Sequence, residues 1–260
     1  MRAPSSQYTF SIFSTSLFQS LVMNKLSDIR ALIIDLDGTM LDTAPDFLVA
    51  INRMREEFSL PALDLITITN FVGKGSANLV QRVLSVDSEP AEVERHFARA
   101  MASYEKHYLA INGDYSTLYP KVVEGLQALK AQGLKLACVT NKPMNFTAPL
   151  LAKKGLNQFF DFVYGGDSFS RKKPDPMPMI EACKALELPP SQVLAIGDSS
   201  NDAAAARAAG CPVLIVPYGY NHGEAVQTIE SDGIVETLLA VAQILVSKKN
   251  SLISSSFYHK

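Results

Sequence analysis

The stretch Ala31-Leu32-Ile33-Ile34-Asp35-Leu36-Asp37-Gly38-Thr39 decides how the chain is read. Four apolar residues, the last two β-branched, stop abruptly at an acid and a glycine. That is the mark of a short buried strand feeding a turn. Four later segments repeat the pattern. Residues 134–139 end at Thr140-Asn141, 160–164 at Gly165-Gly166-Asp167, 193–196 at Gly197-Asp198, and 213–216 at Pro217. Helices are expected at 122–132, 145–154, 176–186, 201–209 and 232–246, and Gly133, Gly155 and Gly210 stand where three of them stop. Short strands alternating with helices predict a parallel α/β sheet covered on both faces.

Residues 45–119 break this rhythm. They hold no convincing buried strand; 47–58, 77–84 and 91–108 read as helices, with Gly73-Lys74-Gly75 as a turn between the first two. A helical module placed just after the first strand leaves the core and returns to it, so its ends are expected close together. The expected division is an α/β core at 28–44 and 120–246, a helical cap at 45–119, and flexible ends at 1–27 and 247–260. The first 22 residues are rich in Ser, Thr and Phe, and serines interrupt any apolar block, so a flexible extension is expected rather than a signal peptide.

Of 260 residues, 47% are hydrophobic and 19% charged, which supports a real core and argues against a disordered chain. The 24 Lys and Arg against 26 Asp and Glu leave a net charge of −2, so no basic surface for nucleic acid is expected. Three scattered cysteines, Cys138, Cys183 and Cys211, build neither a disulfide framework nor a zinc knot. They point to a reducing, cytoplasmic setting. No apolar run approaches the roughly 20 residues that span a bilayer.

Open α/β sheets place their chemistry beyond the carboxyl ends of the strands. There stand Asp35, Asp37, Thr140, Asn141, Asp167, Asp198 and Asp202, with Lys173 in the loop before a helix. A single aspartate after a strand is ordinarily a turn or cap residue. Several carboxylates converging with one lysine instead suit a hard cation and an anionic substrate. The cation expected is Mg²⁺-like, because the donors are oxygens and the four histidines are dispersed.

Asp35-Leu36-Asp37-Gly38-Thr39 resembles the opening motif of the haloacid dehalogenase-like superfamily of phosphatases. Thr140 stands as in its second motif, Lys173-Pro174-Asp175-Pro176 as in its third, and Gly197-Asp198-Ser199-Ser200-Asn201-Asp202 as in its fourth. The four occur in order, and the resemblance spans 28–246. It implies a Rossmann-like core with an inserted helical cap of the type called C1. It also implies Mg²⁺-dependent hydrolysis of a phosphomonoester in two steps. Asp35 attacks phosphorus and becomes an aspartyl-phosphate; Asp37 protonates the leaving oxygen and then activates water. The implied metal ligands are the carboxylates of Asp35 and Asp198 and the backbone carbonyl of Asp37, with Asp202 ordering metal-bound water or Lys173. Lys173 neutralises the phosphoryl group and Thr140 hydrogen-bonds it, with Thr39 and Asn141 as further phosphate contacts.

Within the superfamily, residues 35–43, the Val72-Gly73-Lys74-Gly75 segment and the Gly219-Tyr220-Asn221-His222-Gly223 loop resemble the bacterial phosphoglycolate phosphatases. Lys74 departs from the neutral residue expected there. The resemblance implies a small phosphorylated metabolite as substrate, 2-phosphoglycolate first. Its carboxylate would meet backbone N–H groups near Gly73 and Gly75, with Lys74 either assisting or facing water. Pyrophosphate, a sugar phosphate, an amino-sugar phosphate and a nucleoside monophosphate keep the same chemistry. An inactive fold used for binding is the non-enzymatic alternative. Neither nucleic acid nor membrane is expected as a partner, and monomer and homodimer both stay open.

Overall fold

The structure, a computed structural model, describes residues 26–257, and side chains as far as Ser247. Its strands are β1 (Ala31–Ile34), β2 (Leu41–Asp42), β3 (Thr117–Leu118), β4 (Lys135–Val139), β5 (Phe162–Tyr164), β6 (Val193–Gly197), β7 (Val213–Ile215) and β8 (Gly233–Ile234). Six of them form one parallel sheet in the order β5-β4-β1-β6-β7-β8. The chain thus builds outward from β1 in one direction through β4 and β5, and in the other through β6, β7 and β8. This is the reversal of strand order at which open α/β sheets form a crevice. Ile34 pairs with Cys138 on one side and Ile196 on the other. Asp35, Thr140 and Asp198 therefore emerge together from the carboxyl ends of three adjacent strands.

Alternation along the strands divides the core into two layers. Leu32, Ile34, Leu136, Cys138, Leu194 and Ile196 meet Leu126 and Leu129 of α5 (Val122–Ala131) and Leu238 and Val241 of α9 (Leu238–Phe257). Ala31, Ile33, Ala137, Val139 and Ala195 meet α7 (Met177–Leu186) and the Ala-rich α8 (Ser200–Ala209) on the other face. Small side chains on both partners let α8 pack close to the sheet.

Residues 44–111 fold as α1 (Ala44–Glu57), α2 (Leu65–Thr69), α3 (Ser76–Leu84) and α4 (Pro90–Ile111) around a separate hydrophobic cluster that includes Phe47, Ile51, Val80, Tyr104 and Tyr108. The segment leading into these helices and the one leading out pair as the antiparallel ribbon β2–β3, Leu41 opposite Leu118 and Asp42 opposite Thr117. Asp46, buried in the first turn of α1, accepts hydrogen bonds of 2.8 Å from the N–H groups of Gly113 and Tyr115, and a further one from Ser116. One carboxylate so ties the two ends of the helical insert together.

Three expectations need correction. Helix α9 begins at Leu238, not 232, because residues 233–234 join the sheet as β8; the Asp232 carboxylate accepts from Val213 N–H and its own N–H donates to Val213 O, fixing that edge. The same helix runs to Phe257, past the expected end at 246, since no glycine or proline follows Gly233 to stop it. The strand expected at 160–164 is shorter, Phe162–Tyr164, because Phe160 closes a preceding 3₁₀ turn, its N–H donating to Asn157 O. The flexible extension expected at 1–22 lies outside the described residues. No helix among the described residues is long and apolar enough to cross a membrane.

Candidate active site

A small cavity of about 40 Å³ lies where the carboxyl ends of β1, β4 and β6 face the helical insert. Asp35, Asp37, Thr140, Asn141, Lys173, Asp198 and Asp202 line it from the core; Phe47, Gly73, Gly75, Ser76 and Leu79 close it from above.

Lys173 is the hub. Its buried ammonium donates to Asp35 Oδ1 at 2.6 Å, Asp202 Oδ1 at 2.6 Å and the Val139 carbonyl at 2.8 Å, using all three donors. Burial works against its charge, but Asp202 and Asp35 outweigh it and hold the lysine above its ordinary range. Asp202 completes a capping box on α8: its Oδ2 accepts from Ser199 N–H at 3.1 Å and Ser199 Oγ at 2.6 Å. The same residue thus starts the helix and fixes the buried lysine.

Asp198 is gripped from two sides, by Thr39 Oγ1 at 2.9 Å and by the Tyr220 N–H at 2.5 Å. Gly38 lets this happen: at φ +87°, a Cβ there would sit 2.3 Å from Asp198 Oδ2. Oxygens of Asp35, Asp198 and Asp202 lie within 4.8 Å of one another. All three residues are buried; Lys173 bonds Asp35 and Asp202, and no cation among the described residues bonds Asp198. Burial pushes the Asp35 carboxyl up to about 7 against the pull of Lys173, and burial, then Asp202 and Asp35, hold Asp198 well above the usual carboxylate range. Buried carboxylates short of positive charge, with an all-oxygen donor set, fit a hard divalent cation.

Asp37 stands apart from that cluster. Its Oδ1 accepts from Thr43 Oγ1 at 2.7 Å and from Lys142 Nζ at 2.9 Å, with Oδ2 at 3.3 Å from the same nitrogen. The Gly38 turn, closed by a 2.8 Å bond from Gly38 N–H to Leu41 O, carries Asp37 back over the strand end. The two aspartates of the opening motif therefore have different partners: Asp35 belongs to the acidic cluster, Asp37 to a lysine and a hydroxyl.

Other expected residues fall differently. Thr140 Oγ1 lines the cavity and accepts from Lys142 N–H at 3.1 Å. Thr39, expected on phosphate, is instead spent on Asp198. Asn141 sends its amide to two backbone carbonyls, Lys173 at 2.8 Å and Gly73 at 2.9 Å, so it holds loops. Gly73 and Gly75 line the cavity, but Lys74 between them is exposed and outside the lining, because the positive-φ glycines turn the intervening side chain outward. Asp167, at a strand end, caps α6 (Met144–Lys153) through Met144 N–H at 2.8 Å and does not reach the cavity.

Sequence reasoning missed Lys142, which is buried and lines the cavity. It follows Thr140-Asn141 directly, so the strand-end rule carried two residues further would have included it. The loop residue Tyr220 was noted only as part of a resemblance; its hydroxyl donates to Asp42 and accepts from Ala44 N–H at 2.9 Å, and the residue lines the cavity.

Residues 32–216 match the family model described as haloacid dehalogenase-like hydrolase. A phosphoglycolate phosphatase of Thiobacillus denitrificans is 46% identical over 220 residues, covering 85% of this chain and 96% of that one. A second, from Nitrosospira multiformis, is 47% identical over 217 residues, with 84% and 96% covered. A crystal structure described as a predicted phosphoglycolate phosphatase from Haemophilus somnus superposes with a TM-score of 0.80 at 34% identity, covering 84% of this chain and 98% of that one. With the family model spanning well over half of the sequence, and relatives this similar over most of their length, the chain belongs to the haloacid dehalogenase-like hydrolases.

Proposed function

We propose that this protein is a phosphoric monoester hydrolase that converts 2-phosphoglycolate to glycolate and phosphate, with Mg²⁺, through an aspartyl-phosphate on Asp35. The fold and the relatives named phosphoglycolate phosphatase support phosphoester hydrolysis. The observation that carries the reading is the placement of Asp35. It lines the cavity with one oxygen held by Lys173, and the described residues give its other oxygen no hydrogen bond.

Asp35 and Asp198 would hold the cation, with the Asp37 carbonyl as the third protein ligand. Bound there, Mg²⁺ would neutralise phosphoryl oxygens and the surplus charge of the carboxylates. Lys173 keeps Asp35 oriented and draws its carboxyl toward the anion that a nucleophile requires, against the opposing effect of burial. Thr140 offers its hydroxyl to a phosphoryl oxygen at the end of β4. Asp37, oriented by Thr43 and Lys142, protonates the leaving alkoxide, then takes a proton from the water that splits the acyl phosphate. The insert closes over these groups and excludes bulk water. With about 40 Å³ of free space beneath it, a small substrate is favoured over a macromolecule.

The test is phosphate release by wild type and Asp35→Asn. Turnover by wild type and its loss in a folded Asp35→Asn support the reading; a fully active Asp35→Asn rejects the nucleophile.

A further inference from the structure

We propose that Lys142 is the specificity residue that receives the substrate's carboxylate; this rests on the phosphoglycolate reading of the same site. Lys142 Nζ is buried with its side chain 3% exposed, and Asp37 is its hydrogen-bonding partner at 2.9 and 3.3 Å. The rings of Phe47 on α1 and Tyr108 on α4 stand 4.5 and 4.6 Å from the same nitrogen and stack on each other at 5.2 Å. An ammonium has three donors. Aromatic faces hold its charge without taking a full hydrogen bond. The lysine therefore keeps donor capacity for a ligand in the cavity that it lines.

The chemistry of the leaving group places that ligand. In 2-phosphoglycolate the carboxylate is one methylene away from the leaving oxygen. Asp37 delivers its proton to that oxygen, so the carboxylate lies beside Asp37, where Lys142 already sits. Neighbouring cations are committed or remote. Lys173 spends its donors on Asp35, Asp202 and Val139. Arg55 binds Pro61, Val83 and Asp87. Lys74 is exposed, and Lys172, whose ammonium lies against Gly75, is outside the lining. Phe47, Val72 and Leu79 make part of the wall apolar, so a carboxylate buried against them without a cation would be disfavoured. Lys142 joins the two parts of the molecule: its backbone follows a core strand and its ammonium sits against rings of the insert. A carboxylate bound to it is sensed where the lid closes.

The experiment compares 2-phosphoglycolate with ethyl phosphate, which has the same phosphate and leaving methylene but a methyl group in place of the carboxylate. kcat and KM are measured for wild type, Lys142→Met, Lys142→Gln and Lys172→Gln, each checked for folding by thermal melting. Wild type is expected to prefer 2-phosphoglycolate. Each Lys142 variant is expected to lose at least about tenfold of that preference, chiefly through KM for 2-phosphoglycolate, whereas Lys172→Gln keeps it. Equal losses on both substrates in either folded Lys142 variant would show that Lys142 serves Asp37 alone, and overturn the proposal. A wild type with no preference for 2-phosphoglycolate overturns the substrate reading itself, a result visible before any variant is made.

Discussion

The Asn141 amide nitrogen lies 2.9 Å from the Gly73 carbonyl, joining a core strand end to the turn that roofs the cavity. The same nitrogen reaches the Lys173 carbonyl at 2.8 Å. A single buried side chain therefore sets the height of the insert above Lys173. Asn141→Ala leaves two carbonyls without this donor and is expected to destabilise by about 1–3 kcal/mol. It should also raise KM more than it lowers kcat, because the loosened roof no longer shapes the substrate pocket. Urea denaturation and steady-state kinetics check both; wild-type stability and KM would remove the bridging role.

Asp202 links helix capping to the buried lysine through Ser199 and Lys173. Removing the cap costs about 1 kcal/mol. Stranding a charge-assisted hydrogen bond to the buried lysine adds about 1.5–3 kcal/mol. Asp202→Ala should therefore lower both melting temperature and turnover, while Asp202→Asn should recover part of the stability through the cap. A change in Asp202→Ala below about 0.5 kcal/mol, the range of ordinary surface substitutions, would show that the network is not stabilising.

Stability of the metal-free protein should depend on pH in a stated direction. Asp35 titrates at about 7 in the fold against an ordinary 3.8, so its contribution is fully present below 3.8 and lost as pH rises through 7. Asp198 is shifted the same way. His222, held low by burial, works oppositely: its contribution is lost as pH falls. In chelator, wild type should lose stability from pH 5 to pH 8 relative to Asp35→Asn. Mg²⁺ should restore more stability at pH 8 than at pH 5, since cation and proton compete for the same oxygens. Parallel pH profiles for the two proteins would contradict the burial-driven shift.

Gly219 packs so closely that a Cβ there would meet Asp198 Cβ at 2.2 Å. Gly219→Ala should displace that carboxylate and weaken Mg²⁺ binding by about tenfold or more, as disturbed ligand support does. Gly133→Ala is the comparison, with no atom within 4 Å of its added methyl and only backbone strain from φ +77°. Calorimetric titration with Mg²⁺ measures both; equal affinities would separate Asp198 from the cation.

The parallel sheet, the helical insert and the cluster of Asp35, Lys173, Asp198 and Asp202 were legible in the sequence because local signals agree there. Buried β-branched runs end in acids, and glycines stop the helices. The parts that were not legible depend on tertiary partners. Strand β8 is two residues long and exists through its pairing with β7. Thr39 looks like any motif hydroxyl until the fold brings Asp198, 159 positions away, to within 2.9 Å. Lys142 reads as a surface lysine in a loop, and only the stacked rings of Phe47 and Tyr108 reveal it as buried. Lys74 shows the converse, a charge inside a glycine turn that points outward.

On the proposed function, Asp35 turns over a small phosphomonoester, 2-phosphoglycolate foremost, with a divalent cation. The most direct measurement is phosphate release by the purified protein from 2-phosphoglycolate, pyrophosphate, sugar phosphates and nucleoside monophosphates, with Mg²⁺ and with chelator. The predicted result is a kcat/KM for 2-phosphoglycolate at least about tenfold above every other substrate, dependent on Mg²⁺ and absent in Asp35→Asn. Undiminished release in chelator, or a different preferred substrate, would contradict it.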